Sequence, residues 1–564
     1  MHDITDLPHS RAAGILPVRR HLCSSVAHLW LPLLLPLITF LPSVLIHSAI
    51  DIRQSAIASP SFQAPFTLKT GSFGGRNRVI SGSFWGRLGV GLGSFGGRFR
   101  VGLGSVFPPQ QTDTTRPALH LRPTPRKNAP RSLAQRIPHV PRFPPSATIP
   151  PMHVVVFEGV HWKTFAPLSL GRPVFMLATG MAALLEKQIR HTKPSRLSLW
   201  VRPELADFCR RRILPKLSVP ADVNLPLDND PALLVSGQTL HFRKCDIPDQ
   251  QAALIDPGDV VRLAKVVSPG LSPADAMDRT PKWMELLKLP RMEPQTRLVE
   301  RLWDLIKWNE ESLIEDSARV RRDCLPKPAG PYHMIDDHNV CIAPNADIQP
   351  GAVLDASKGP VVIDHHASIG ANAVLQGPCY IAPYAQITPL AFIRPGTTIG
   401  TMCKVGGEVS NSLIFGYTNK SHDGYLGDSY VGKWVNIGAG SATSNLKNTY
   451  GEISVVTRQG IEKTGRRNLG SLIGDHAKLA VGTRLMAGSY VGFASLLAGS
   501  NIAPRFTPSY TFWTDKGAEP YGLEKAVQVM KTVFARRDRA WDDIDEATVR
   551  YAAAAAPTVE ASMT

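Results

Sequence analysis

Glutamate is missing from the first 151 residues, and no methionine occurs between Met1 and Met152. That stretch holds 17 Lys and Arg, 15 of them Arg, against four Asp, so it supplies +13 of the formal +17 and leaves about +4 for the rest. The basicity therefore belongs to one segment, and it gives no ground for a nucleic-acid partner. The same segment lacks any hydrophobic period that could build a core, while it carries 19 prolines and two near-copies, Gly71–Arg76 and Gly93–Arg98. Its one apolar run, Leu29–Ile46, follows Arg19 and Arg20 as a signal anchor would, yet contains Pro32, Pro36 and Pro42. Each proline costs a helix interior about 3 kcal/mol, so no membrane segment is expected. Residues 1–151 read as a disordered or spurious extension ahead of a natural start at Met152.

Also missing is any Cys-x-x-Cys pair. The seven cysteines, an odd number, are Cys23, Cys209, Cys245, Cys324, Cys341, Cys379 and Cys403. This pattern excludes a disulfide framework or zinc site as the expected reading and favours reduced thiols in a cytoplasmic protein.

What is present is a repeat of six. An aliphatic residue recurs at Ile363, Ile369, Leu375, Ile381, Ile387, Ile393, Ile399 and Val405, returns at Ile473, Leu479, Leu485, Val491 and Leu497, and extends backward through Leu354, Ile348 and Ile342. That period is neither helical nor simple strand alternation. It predicts short strands turning the corners of a triangular prism, one aliphatic per face pointing inward and the coils stacked at ~4.8 Å. Upstream, His153–Phe157, Arg196–Val201 and Ala232–Val235 read as strands, with helices over Ala178–Arg190 and Pro203–Arg212 between them, hence an α/β layer with a parallel sheet. Helical patterns over Thr280–Leu289 and Thr296–Leu313 join the two halves. A basic amphipathic helix over Tyr521–Trp541 and an Ala-rich tail follow the repeat.

The period breaks between Val405 and Val431, where a solenoid places functional loops. Glu408, His422 beside Asp423, Tyr425, Asp428, Asn436, Gly440 and Asn445 fall in or just after the break. A histidine whose unperturbed pKa lies near ~6.5 is largely free to accept a proton at neutral pH, so His422 is the candidate general base. A solvated loop histidine is the competing reading.

The segment Ile393-Arg-Pro-Gly396, then Glu408, then His422-Asp-Gly-Tyr-Leu-Gly-Asp428, Val435-Asn-Ile-Gly-Ala-Gly440 and Asn445 resembles the acetyltransferase domain of the bifunctional N-acetylglucosamine-1-phosphate uridyltransferase/glucosamine-1-phosphate acetyltransferases. From Met152 to about Trp541 the chain resembles a divergent sugar nucleotidyltransferase branch of that family, through Phe157–Pro173 and Ile414–Tyr425. The resemblance implies a transferase of sugar-nucleotide biosynthesis: acyl transfer from acetyl-CoA to an amino-sugar phosphate or nucleotide sugar, with nucleotidyl transfer to a sugar 1-phosphate in the first domain. His422 matches the general base and Glu408 a site carboxylate. Arg394 matches the residue holding the sugar phosphate, a task suited to a guanidinium fork. Tyr425, Asn436 and Asn445 match acceptor-binding positions, and Ala439 lies where backbone N–H groups support the thioester. A homotrimer is implied, with sites between subunits.

Three positions depart from the family. A phosphate-binding lysine falls on Ser410, a tyrosine on Leu446, and a coenzyme-contacting serine on Val481. The glycine-rich triphosphate loop is replaced by Leu168-Ser-Leu-Gly-Arg-Pro173, in which Arg172, with Lys163 nearby, could meet phosphates. Magnesium could serve the first domain through Asp228 and Asp230, which read equally as a polar turn; no resident metal site is expected. The expected domains are the extension 1–151, an α/β nucleotidyltransferase-like domain 152–290, a helical linker 291–333, a left-handed parallel β-helix 334–508, and a C-terminal helix and tail 509–564. The alternative from another class is a non-catalytic trimeric scaffold that binds a nucleotide sugar.

Overall fold

In a computed structural model, the described residues are 152–563, apart from 229, 245, 268–269 and 321–328, together with two upstream strands. The chain divides into two compact units, 1–136 and 137–564. In the first, Ser61–Lys69 pairs antiparallel with Val79–Arg87. The remainder of the expected extension, the apolar run 29–46 included, lies outside the described residues.

The second unit opens with a six-stranded sheet. Its strands are β1 (His153–Phe157), β2 (Arg196–Trp200), β3 (Ala221–Val223), β4 (Ala232–Ser236), β5 (Ala252–Asp256) and β6 (Val260–Val266), in the order β5-β6-β4-β1-β2-β3. β1 runs parallel to β2 and β4, as the βαβ pattern requires. β5 and β6 form an antiparallel hairpin added to β4, which the sequence pattern did not reveal. Val154, Val155 and Val156 are fully buried, because a central strand has both faces covered. The expected helix over Ala178–Arg190 begins later than its composition suggests. Ala178–Thr179 and Ala182–Ala183 first make a tight β pair, and α1 spans Leu184–Thr192.

From His333 the chain winds into three faces of six, nine and ten strands, parallel throughout except for the last strand of the ten, Gly517–Pro520, which pairs antiparallel with Thr511–Thr514; this is the prism of a left-handed parallel β-helix. The aliphatic residues of the repeat, Ile363 through Val405 and Ile473 through Leu497, line its core. The apparent break after Val405 is not a break in the stack. Val409, Ile414, Leu426, Val431 and Ile437 continue the inward rows, with turns shortened by one or two residues. The actual insertion lies later, at 444–470, and contains the hairpin Ser454–Thr457/Gly460–Lys463.

The α/β domain packs side-on against the nine-stranded face. Trp162, Phe165, Leu168 and Leu170 from the segment after β1 share one core with Leu413, Tyr430, Leu472 and Tyr490 of that face. Tyr430 fixes the join by donating from its hydroxyl to the Ala178 carbonyl at 2.7 Å. The connecting helices α2 (Leu302–Lys307) and α3 (Asn309–Val320) lie in the same seam, where Asn309 donates to the Gly396 carbonyl at 2.7 Å. After the repeat, α4 (Leu523–Ala535) stacks Phe534 on Trp434 with ring centroids 4.2 Å apart. The Ala-rich tail is helix α5 (Asp543–Glu560), whose small side chains at Ala552 and Ala556 let it sit in the interdomain core.

One expectation needs correction. Cys341 is disulfide-bonded, with its partner outside the described residues, whereas the cysteine spacing favoured free thiols throughout. Cys209, Cys379 and Cys403 are free and buried. Among the described residues no helix is long and apolar enough to cross a membrane.

Candidate functional site

His422 sits on the corner where the chain passes from the ten-stranded to the six-stranded face. It lies between Asn419–Lys420 and Tyr425–Gly427, and is exposed. Three consecutive turns of this corner stack here, Gly406–Gly407, Ser421–Gly424 and Gly438–Ser441. Gly424 adopts φ +104° against the Ser441 carbonyl, where an added Cβ would lie 2.1 Å from that oxygen. The His422 imidazole has no hydrogen-bond partner among the described residues. Next to it, the Asp423 carboxylate accepts the Gly440 N–H at 3.3 Å, which sets Ala439 and Gly440 beside the His422 turn.

Strand pairing carries the acceptor-type residues to one place. Phe392, Glu408 and Tyr425 stand in register on the six-stranded face because Phe392 pairs with Glu408 and Glu408 with Tyr425. Arg394 donates to the Glu408 carboxylate at 2.8 Å, and both side chains are roughly two-fifths exposed. Asn445 donates to the Tyr425 hydroxyl at 3.0 Å and to Asp428 at 2.6 Å. Burial, reinforced by the charge of Asp428, holds the Tyr425 phenol above its ordinary pKa. The structure thus brings Arg394, Glu408, Tyr425 and Asn445 together on one face, with His422 and Ala439 on its edge. Asn436 is elsewhere: it pairs with Asn419 on the ten-stranded face and is exposed there.

Other residues of the site carried no assigned role in the sequence. Asp428 is the hub, accepting from Asn411 at 2.6 Å and from Asn445, with the Arg466 guanidinium 3.9 Å away. Arg466 comes from the inserted segment, too distant along the chain for any spacing to reveal. Lys420 was findable, since six steps from Ile414 reach it. Ser410, where a cation was missing, pairs opposite Gly427, and Val481 is exposed at its turn.

Arg172 has a different environment. Only 4% exposed, it is ion-paired with Asp475 of the nine-stranded face and lies over the Phe415 ring at 4.4 Å. The segment around it is tied to Arg202, which donates to the carbonyls of Ser169 at 2.8 Å and Arg172 at 3.0 Å, and to Glu158 at 2.9 Å. Burial pushes the Glu158 carboxyl above its usual range. Lys163 lies 5.8 Å from the Trp162 ring centroid. Asp228 is paired with Arg196 at 2.9 Å, and no cluster of three metal-ligating side chains occurs among the described residues.

Comparison with known proteins follows the same division. Residues 154–324 match the family model described as sugar nucleotidyl transferase. Over 170 residues the chain is 34% identical to an uncharacterized acetyltransferase, YaiX, of Escherichia coli strain 536, covering 30% of this chain and 74% of that one. It is 36% identical over 166 residues to the bifunctional protein GlmU of Ruthia magnifica, covering 29% of this chain and 32% of that protein. The chain belongs to the family of that YaiX acetyltransferase, of which it covers about three quarters, and is similar to the bifunctional GlmU proteins as a divergent relative. A bifunctional sugar-1-phosphate nucleotidylyltransferase/acetyltransferase of Sulfurisphaera tokodaii is 32% identical over 148 residues, 26% of this chain and 37% of that one. The matches span only about a third of the two bifunctional relatives.

Proposed function

We propose that this GlmU-like chain transfers an acetyl group from acetyl-CoA to the amine of an amino-sugar phosphate or nucleotide sugar, with His422 as general base. The observation that carries this reading is the free, exposed imidazole of His422 on the edge of a face whose outward groups are Arg394, Glu408, Tyr425 and Asn445. The amine nitrogen attacks the thioester carbonyl carbon while His422 takes its proton. The tetrahedral intermediate then collapses with loss of the coenzyme thiolate, which receives that proton. Ala439, one coil on at the same corner, is suited to present its N–H to the developing oxyanion. Arg394 would exchange its carboxylate partner for the acceptor phosphate. Asn436 and Tyr425 lie on different faces of one chain, which supports a homotrimer in which neighbouring copies complete each site.

The first domain is proposed to act on a sugar 1-phosphate and a nucleoside triphosphate, in the cytoplasm. No step is assigned to magnesium, because Asp228 is paired with Arg196. A second reading of this domain, a nucleotide-sugar-binding module, is favoured by the burial of Arg172 against Asp475. Incubation of the chain with acetyl-CoA and a panel of amino-sugar phosphates, followed by mass spectrometry, tests the main reading through an added acetyl mass. Pyrophosphate release with magnesium, UTP or dTTP and hexose 1-phosphates tests the first domain.

A further inference from the structure

The inward row of the ten-stranded face runs Ile348, Ile369, Ile387, Val405, Lys420, Ile437, Leu479, Leu497 and Trp513. A lysine interrupts it once. Lys420 is 1% exposed, and its ammonium donates to the Gly406 carbonyl at 2.7 Å and to the carbonyl of His422 itself at 3.0 Å. The backbone shows why a tie is needed there. At this corner each coil hands one N–H to the next: Gly370 to Ile387, Thr388 to Val405, Gly406 to Lys420, Gly438 to Leu479 and Ala480 to Leu497, at 2.7–2.9 Å. Ser421 should continue the series and does not, and none of Ser421, His422, Asp423 or Gly424 donates a backbone–backbone hydrogen bond. The rung is missing where His422 is carried.

We propose that Lys420 is a positioning residue, whose ammonium ties the His422 turn to Gly406 of the preceding coil, where the backbone tie to the following coil is missing, and so fixes that turn for acyl transfer. The proposal rests on the acyl-transfer reading for its catalytic part. An aliphatic residue would pack this row equally well, as it does at the other rungs, and a buried charge disfavours folding unless its hydrogen bonds are used. Asp423 on the same turn is the charge that supports the ammonium, while burial brings its pKa down to about 8.

Two measurements on the full chain test this. In Lys420→Met, kcat for acetyl transfer is expected to fall by up to about 10²-fold with KM for acetyl-CoA unchanged, the scale of a misplaced catalytic group. In a His422→Asn background the same substitution is expected to have no further effect on residual turnover, because it acts through His422. Wild-type turnover in Lys420→Met, or an equal loss in both backgrounds, overturns the proposal. The second readout does not need activity. With histidines carbon-13 labelled at Cε1 and the His422 signal assigned by its loss in His422→Asn, Lys420→Met should lower the order parameter of His422 and leave other histidines unchanged. An unchanged His422 overturns the turn-fixing role. Should Lys420→Met not fold, Lys420→Gln, which keeps a donor but no charge, takes its place with the same readouts. Absence of turnover in the wild-type chain would refute acyl transfer and with it the catalytic part, while the NMR measurement would still decide whether Lys420 holds the turn.

Discussion

His422, on a corner of the β-helix, and Arg172, on a segment packed against it, are both polar residues outside regular strands, and their surroundings are opposite. Around Arg172 the segment 158–176 is sunk into an interdomain core, where Asp475 pairs with one terminal nitrogen of Arg172, the other being buried without a partner, and Arg202 donates to the Ser169 and Arg172 carbonyls. Around His422 the turn is exposed, its imidazole is unpartnered, and the nearby Arg394–Glu408 pair is open to solvent. A polar group already satisfied by its own protein has little left for a ligand, whereas an unpaired group on a rigid support is available for one. Similar residue types can therefore hold a fold in one place and serve a reaction in another.

The largest expected effect is at His422. His422→Asn should lower acetyl transfer by roughly 10²–10⁴-fold, the range for a lost general base, without moving the melting transition, since the side chain is exposed and unpaired. Steady-state kinetics beside calorimetry check both halves. A variant with wild-type turnover would make His422 an ordinary surface residue.

Arg172 should behave in reverse. Arg172→Ala leaves Asp475 buried without its charge partner and is expected to destabilise the chain by about 3–5 kcal/mol in urea denaturation. Asp475→Ala in addition should give back part of that loss, because the two residues share one interaction. Acetyl transfer by the folded fraction should persist. Should Arg172→Ala leave stability intact while abolishing pyrophosphate release, the comparison would break, and Arg172 would be a ligand-binding residue.

A smaller effect sharpens the contrast through pH. The Lys420 ammonium has its pKa brought down to about 8 by burial, from 10.5 in the ordinary state. Between these values the unfolded chain binds more protons than the folded one, so this group's contribution to stability rises with pH across the window and is constant below it. Relative to Lys420→Met, wild-type protein should therefore gain up to about 3 kcal/mol on going from pH 8 to above pH 10. Denaturant midpoints for both proteins at several pH values read it. A pH-independent difference would mean that Lys420 titrates normally.

The inward rows were legible in the sequence because an aliphatic residue must recur wherever a coil crosses a face. Ile363 through Val405 accordingly line the core. His422 stood out because the regular spacing lapsed around it, although the stack itself continues on shorter turns. What stayed hidden depended on contacts between distant segments. Trp162 to Leu170 have no helical or strand period, since they fill irregular gaps between the sheet and the nine-stranded face. Arg466 reaches Asp428 from the inserted segment, just past its hairpin. The Ala-rich tail lacked a large apolar stripe because α5 uses small residues for close approach to that same core. Its Asp542 cap, which accepts from the N–H groups of Ile544 and Asp545, was the local signal available.

The smallest expected effect concerns the exposed pair beside His422. A solvent-exposed ion pair contributes about 0–1 kcal/mol to stability, so neither Arg394→Gln nor Glu408→Gln should shift the denaturation midpoint appreciably. Their kinetic effects should differ in sign. If Arg394 gives up Glu408 to hold an acceptor phosphate, then Arg394→Gln removes a charged hydrogen bond worth about 1.5–3 kcal/mol and raises KM for the phosphorylated acceptor about 10–100-fold. Glu408→Gln removes the competitor and should lower that KM by a factor of roughly 2–5, the equivalent of a pair worth less than ~1 kcal/mol. Acetyl-CoA titrations at fixed acceptor, and the reverse, separate these terms. A fall in kcat for Glu408→Gln at saturating acceptor would instead place the carboxylate in the chemical step, beside His422, rather than at the phosphate.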